Sequence, residues 1–558
     1  MRRSGRAAML GGVATEGGRT TTVYDYVIVG AGSAGCVLAS RLSADPGVRV
    51  LLVEAGGPDR HPLFRVPKGF GKLMDDPGKA WHYQTRPFGP RARPEVWPRG
   101  KVLGGSSSIN GLVYNRGDRH DWDNLVRLGN PGWGWDTMLP IFRGFEDNIL
   151  GPSDSRGAGG PLGVSPPRRP DPLSVEMVET GRSVGLTPVR DVNDLDEARE
   201  SDGERIGHTM ATIRDGRRVS AATAFLRPVR HRANLTVRTG TTVTGLVFGG
   251  DKVVGVRARD AAGATVEFSA AREVVLALGS LGTPKVLQQS GIGPAQVLRA
   301  AGVDVRLDRA LVGERMREHR CLPLKFRLRE NLGTNRMLSS PARQGLTALR
   351  YLVRRDGPLA TPAYDVLAFL KSRPGLDRPD AQVLMGPWSV ATYQAGEAVT
   401  VEREPGLSAV AEILRPTAEG SVRITSADPD APLDVEPNYF GSEHDRRVAV
   451  DVLARMREFF AHEPIAARLS AETFPGVRTD EDVVDAMLDS GYCGYHAIGT
   501  CAMGPNDEDV VDSRLRVRGV DNLRIMDASV LPAMVSGNLN GPVMAMAWNA
   551  ADLILDRA

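Results

Sequence analysis

Three glycines and one glutamate carry the strongest chemical signal in this chain. Gly30-x-Gly32-x-x-Gly35 follows an apolar run, Tyr24 to Val29, and opens a stretch of small residues. A second apolar run, Val48 to Val53, ends on Glu54, nineteen residues past Gly35. Bare backbone at Gly30 and Gly32 permits a tight turn and a close approach of amides to a pyrophosphate. Gly35 lets a helix pack on the strand, and that helix, beginning at Ser33, presents free N–H groups and partial positive charge at its N-terminus. Glu54 stands where a carboxylate takes the hydroxyls of an adenosine ribose. Strand, turn, helix, strand and acid in that order predict a dinucleotide site, without distinguishing NAD from FAD.

A second group could supply acid–base chemistry. His496, in Tyr495-His-Ala-Ile-Gly-Thr-Cys-Ala-Met-Gly504, titrates near neutrality and can take a proton from a hydroxyl. Asn540, 44 residues on, carries an amide able to hydrogen-bond a substrate oxygen and stabilise charge developing there. The other eight histidines have no comparable setting, and His319, in Gly-Glu-Arg-Met-Arg-Glu-His, is expected to be structural. Tyr495 and Trp548 could line a pocket or simply pack.

Several elements must position these groups. Arg99-Gly-Lys-Val-Leu-Gly-Gly-Ser-Ser-Ser-Ile-Asn110 is too rich in glycine for a helix interior and reads as a loop lying against something flat or phosphorylated. Strand-like runs resume between Leu235 and Ala277, at Leu322 to Leu328 and at Val422 to Ile424, with a helical pattern at Leu346 to Val353. Asn522 to Asp527 reads as a buried strand, and Pro542 to Leu555 as a helix with proline in its first turn. Pieces of a nucleotide domain thus stand at both ends of the chain, with a second lobe inserted between them. Residues 151–170 read as a flexible excursion or covering loop.

The bulk properties exclude several classes. With 558 residues, 41% hydrophobic and 25% charged, the chain fits a multi-lobed globular protein. Its 70 basic and 67 acidic residues leave a net charge of +3, which gives no reason to expect nucleic acid or a general affinity for anionic membranes. Four scattered cysteines (36, 321, 493, 501) make neither a disulfide framework nor a metal site, and fit a reducing cytoplasm. No apolar run is long enough to span a membrane. Residues 1–22 lack the apolar stretch of a signal peptide and read as a disordered leader.

Five collinear blocks resemble the glucose-methanol-choline (GMC) family of flavin oxidoreductases. They are GAGSAG with Glu54, RGKVLGGSSSINGLVYNRG at 99–117, GSLGTPKVLQQSGIGP at 279–294, YHAIGTCAMG at 495–504 and MDASVLPAMVSGNLNGPVMAMAWNAADLI at 526–554. The resemblance covers residues 24–555 and implies FAD. It implies an α/β fold: a Rossmann-like FAD-binding domain from 23–165, 231–315 and 481–558, and a discontinuous α+β substrate domain on an antiparallel sheet from 166–230 and 316–480. Gly104, Gly105, Ser106, Asn110 and Val113 would wrap the flavin and its pyrophosphate, Val243 would meet the adenine, and Asp527 the ribityl and pyrophosphate oxygens. The Gly541-Pro542 helix start would aim its dipole at the flavin. The implied reaction is oxidation of a primary or activated alcohol to an aldehyde, with hydride passing to flavin N5, His496 as base and Asn540 as its partner. Oxygen or an organic acceptor would take the electrons, and no metal is implied.

The chain also departs from relatives. Ile109 stands where covalently flavinylated members carry histidine, so FAD is expected to be non-covalent. Cys321 stands where choline-active members tend to carry glutamate, which argues against choline unless a carboxylate or an aromatic cage from elsewhere compensates. Hydroxynitrile lyases and fatty acid photodecarboxylases share the fold, and a choline dehydrogenase-like enzyme is a further alternative; the pairing of a base with a hydrogen-bond partner favours alcohol oxidation.

Overall fold

The computed structural model describes residues 14–16, 19–391 and 400–556. Within the leader, Ala14–Glu16 and Arg19–Thr21 pair as short antiparallel strands, while residues 1–13 and 17–18, also expected to be disordered, lie outside the described residues.

The nucleotide lobe is built on β1 (Val23–Val29), β2 (Val50–Val53), β3 (Leu235–Arg238), β4 (Thr242–Gly249), β5 (Lys252–Arg259), β6 (Thr265–Leu276) and β7 (Leu523–Ile525). The sheet order is β3-β2-β1-β6-β5-β4, with β7 on the other side of the C-terminal half of β6. Strands β3, β2, β1, β6 and β7 run parallel; β5 and β4 are antiparallel additions. The runs Val-Ile-Val in β1 and Val-Leu-Leu-Val in β2 are wholly buried, as a sheet covered on both faces requires. Helix α1 (Ser33–Leu42) links β1 to β2, α2 (Gly279–Gln289) follows β6, and α3 (Asn540–Ile554) follows β7. Helix α3 packs along α1, tied by Ser33 to Asn540 at one end and by Arg41 to Asp552 at the other.

The second lobe holds a larger sheet. Its strands run in the order 469–474, 320–328, 406–413, 381–386, 366–370, 205–208 and 187–188, antiparallel except for the last pair. The central strands Ala381–Gly386 and Gly406–Ile413 are buried throughout. The helix Glu443–Phe460 covers one face through Val448, Val452, Met456 and Phe459.

Three differences from the expected layout follow from packing. Tyr492–Cys493, expected with the nucleotide lobe, pairs with strand 320–328 of the second sheet. The strand Ser421–Ile424, expected with the second lobe, instead packs on α2. The buried Gln288 amide donates to the Val422 carbonyl (3.1 Å), and its oxygen accepts from the Ile424 amide (2.8 Å). Residues 151–170 are pinned, because Leu162–Val164 pairs with Glu146–Asn148 and the buried Arg156 contacts Asp194 (3.1 Å). Among the described residues no helix is long and apolar enough to cross a membrane.

Candidate active site

One cavity of about 610 Å³ is lined both by the glycine turn of β1–α1 and by the region around His496. Its nucleotide end is made largely of backbone. Gly30 has φ +101°, and a Cβ there would sit 2.5 Å from the Ala277 carbonyl oxygen, so only glycine fits the turn. Gly32 caps α1 without engaging any side chain, and a Cβ there would meet nothing within 4 Å. The first-turn amides of α1 lack intrahelical partners, and Gly32, Ser33 and Ala34 face the cavity. Gly35 lies behind them, against the Gly30 carbonyl.

Glu54 lines the same end. Its carboxylate accepts from the Ala31 amide (2.9 Å) and the Gly56 amide (2.8 Å), leaving lone pairs for a diol, and burial pushes its pKa up to about 7. Ser106, Asn110, Val113 and Val243 line the wall, with Gly104 and Gly105 turning the loop at φ +91° and +51°. The Asn110 side-chain oxygen accepts from the buried Arg218 (2.6 Å), which also holds the Pro67 carbonyl (3.0 Å). Asp527 accepts from the Gly279 amide (2.9 Å) and the Thr283 hydroxyl (2.6 Å), fixing the start of α2 against β7. Pro542 is buried in the first turn of α3 and does not line the cavity.

The other end is made of side chains from distant segments. His496 follows Tyr495, whose φ is +66°, and its amide donates to the buried Glu318, which also accepts from the His319 amide (2.9 Å). One carboxylate therefore braces both histidine backbones. His319, expected to be structural, reaches His496 directly, since the two Nδ1 atoms are 3.0 Å apart. His319 Nε2–H donates to the Leu414 carbonyl (3.3 Å), so neutral His319 offers Nδ1 as acceptor to His496 Nδ1–H. That leaves the His496 Nε2 lone pair toward the cavity, where it accepts from Asn538 Nδ2 (3.1 Å).

Asn538 thus holds the place assigned to Asn540. Helix α3 begins at Asn540, whose side chain turns back to accept from Ser33 Oγ (2.8 Å). Asn538 lies in the turn after Gly537 (φ +87°) and reaches the second sheet. Gln382 Nε2 donates both to Asn538 Oδ1 (3.1 Å) and to Glu412 Oε2 (3.2 Å).

Glu412 is the functional group that motif reading missed. It is 2% exposed, lies 3.5 Å from His319 Nδ1 and 3.7 Å from His496 Nδ1, and lines the cavity. In the sheet it is the cross-strand partner of both Cys321 and Gln382. The signal was a lone acid in the apolar strand Gly-Leu-Ser-Ala-Val-Ala-Glu-Ile, since a fully buried strand admits a carboxylate only with partners. Burial alone would raise the Glu412 pKa, but the facing histidines hold it below its ordinary value. Burial also drives His496 down to about 4, against the pull of Glu412. His319 goes the other way, because Glu412 and Glu318 more than offset its burial and raise its pKa. Of the two aromatic residues left open, Tyr495 lines the cavity, whereas Trp548 packs among Phe145, Phe225 and Arg41.

Two family models cover most of the chain: GMC oxidoreductase, N-terminal, over residues 24–321, and GMC oxidoreductase, C-terminal, over 416–547. The chain belongs to the GMC oxidoreductase family. It is 36% identical to an oxygen-dependent choline dehydrogenase of Photobacterium profundum, over 96% of this chain and 93% of that protein. It is 35% identical to an alcohol dehydrogenase [acceptor] of Pseudomonas putida, over 96% of both. The crystal structure of pyridoxine 4-oxidase from Mesorbium loti matches with a TM-score of 0.83 and 32% identity, over 95% of this chain and 98% of that one. This GMC oxidoreductase is therefore a flavoenzyme that oxidises the CH–OH group of an alcohol, and its cofactor is FAD. The residues present fit that cofactor: open first-turn amides at Gly32 and Ser33 for a pyrophosphate, Glu54 for the ribose, and a cavity continuous with His496.

Proposed function

We propose that this oxidoreductase acts on a primary or activated alcohol and releases an aldehyde, with His496 as the base. The observation that carries this reading is the set of hydrogen bonds that makes His496 Nε2 the acceptor on the cavity side, where it meets the Asn538 amide until a hydroxyl enters between them. Bound FAD supplies the hydride acceptor. Asn538 and His496 Nε2 hold the hydroxyl between them, the amide N–H stabilising charge on the oxygen while the imidazole takes the proton. His496 then passes its Nδ1 proton to His319, whose positive charge faces Glu412. The opposed pKa directions of the two histidines support that path, since the buried base releases its proton to the one held beside carboxylates.

The finer assignments share this basis. FAD is held non-covalently, as Ile109 offers no nucleophile at the loop position where linked members carry histidine; Gly30, Gly32, Ser33, Glu54, Gly105, Ser106, Asn110, Val113, Val243 and Asp527 line its site, while Gly35, Gly104 and Pro542 support it from behind. The FAD domain takes 23–165, 231–315 and 481–558, less the strand at 492–493 and with the strand at 421–424 added. Oxygen or an organic compound accepts the electrons. Four free, buried cysteines fit a cytoplasmic enzyme. A quaternary ammonium alcohol is a second reading, favoured by Glu412, which places a carboxylate across the ladder from Cys321. Anaerobic absorbance of the FAD-loaded enzyme mixed with benzyl, furfuryl, long-chain and polyether alcohols and with choline tests both readings. Bleaching near 450 nm (about the usual oxidised-flavin band) by an uncharged alcohol supports the first. Bleaching by choline alone supports the second, and none by any alcohol overturns both.

A further inference from the structure

The helix Pro341–Arg354 turns its apolar side outward. Thr347 and Tyr351 are buried on one face and fasten it: the Tyr351 hydroxyl donates to the Gly216 carbonyl (2.9 Å) and the Thr347 hydroxyl to the Met337 carbonyl (3.2 Å). Leu346, Leu349, Leu352 and Val353 are 68%, 58%, 62% and 73% exposed. At about 100° per residue they form a ridge roughly 120° wide, centred opposite the buried face. They are four of the nine large apolar side chains exposed among the described residues, and the other five are scattered.

The charge around this ridge is one-sided. Between Glu330 and Asp356 the chain carries Arg336, Arg343, Arg350, Arg354 and Arg355 and no acid, although the whole chain has a net charge of only +3. Arg343, Arg350 and Arg354 run along one border of the ridge, and only Arg350 is matched on this segment's margin, by Asp356 (2.7 Å). A second copy of this chain docking by two-fold symmetry would bring arginines against arginines. Protein partners are commonly anchored by buried aromatic residues, whereas the ridge offers only leucine and valine. Leucines outward with arginines at their edge match a surface of apolar chains beneath anionic groups.

We propose that this helix docks the protein onto a bilayer surface carrying anionic phospholipids, the leucine ridge entering the headgroup–acyl boundary and the arginines meeting phosphates. The contact is peripheral, and it is independent of which alcohol the enzyme oxidises. Co-sedimentation of the FAD-loaded enzyme tests it, using phosphatidylcholine vesicles with and without about one-third phosphatidylglycerol. The protein is expected to pellet with the anionic vesicles only and to be released by salt. Leu349→Glu/Val353→Glu should weaken binding by about tenfold or more, and Arg343→Gln/Arg354→Gln by roughly fivefold per charge. Turnover of a soluble alcohol with a dye acceptor should persist in both variants, since none of these residues lines the cavity. Wild-type protein that ignores anionic vesicles, or pelleting that survives the glutamate substitutions, overturns the proposal. So does sedimentation velocity showing a dimer that those substitutions split in the absence of vesicle binding.

Discussion

The two ends of the cavity are made in different ways. At the nucleotide end the working groups are largely backbone amides, placed by consecutive residues: the turn Gly30–Gly35 and the loop 99–110 each carry their geometry within a dozen positions. At the other end they are single side chains from five separate segments, His319, Gln382, Glu412, His496 and Asn538, which meet only because strands 320–328, 406–413 and 381–386 are neighbours. A backbone site depends on conformation and close approach, as the glycines at 30 and 35 show, more than on the chemistry of particular side chains. A side-chain site depends on the identity of each member.

The largest test of that contrast is His496→Ala. Removing the base should lower kcat/KM by roughly 10²–10⁴-fold while FAD content, read from absorbance, stays as in the parent enzyme. Loss of FAD together with activity would mean that the two ends are not separable. Next comes the pair Asn538→Ala and Asn540→Ala. Without the Asn538 amide, kcat should fall about 10²-fold, as for loss of one preorganised donor. Asn540→Ala should leave kcat within about threefold and act on the contact between α1 and α3, read as a fall in thermal stability of about 1 kcal/mol. The reverse ranking would restore the role to Asn540.

That pair also marks where the sequence stopped being sufficient. The parallel strands, the glycine turn and Glu54 were legible because each expresses a local rule, whether period, turn conformation or strand end, whereas Asp527 came with the family resemblance. Asn538 and Asn540 sit two apart around a helix start, and no periodicity crosses that boundary. Only the observed onset of α3 at Asn540 sends one side chain to Ser33 and the other to His496. His319 and Glu412 were harder still. Their roles arise from a ladder register in which Glu412 faces Cys321, a pairing between residues 91 positions apart. Tyr492–Cys493 crossed lobes for the same reason, its partner strand being remote in sequence.

A gentler test of the nucleotide end is Gly32→Val. The residue has ordinary extended dihedrals, φ −79° and ψ −159°, and the space beside it is open, so the FAD-free protein should melt within about 1 kcal/mol of the parent. The branched side chain would cover the first-turn amides, and FAD affinity, measured by titration of the apoprotein, should fall about tenfold or more. Unchanged affinity would mean that the pyrophosphate lies elsewhere.

Within the hydrogen-bonded set around His496, the smallest effect, and the most specific, is expected from Glu412→Gln. Proton transfer to His319 requires its Nδ1 to be free, so activity is lost when His319 is protonated and appears as pH rises through its pKa. Glu412 and Glu318 hold that pKa above the ordinary histidine value of 6.5 despite burial. The acid limb of kcat/KM in the parent enzyme should therefore lie above that value. Glutamine keeps the Gln382 contact within reach but removes the charge, so His319 deprotonates at lower pH and the limb moves down. The plateau should also fall, by about tenfold, because the imidazolium formed on His319 during turnover loses its counter-charge. A lower plateau with an unmoved limb would make Glu412 a packing residue; both changes together would make it the group that sets the direction of proton flow away from His496.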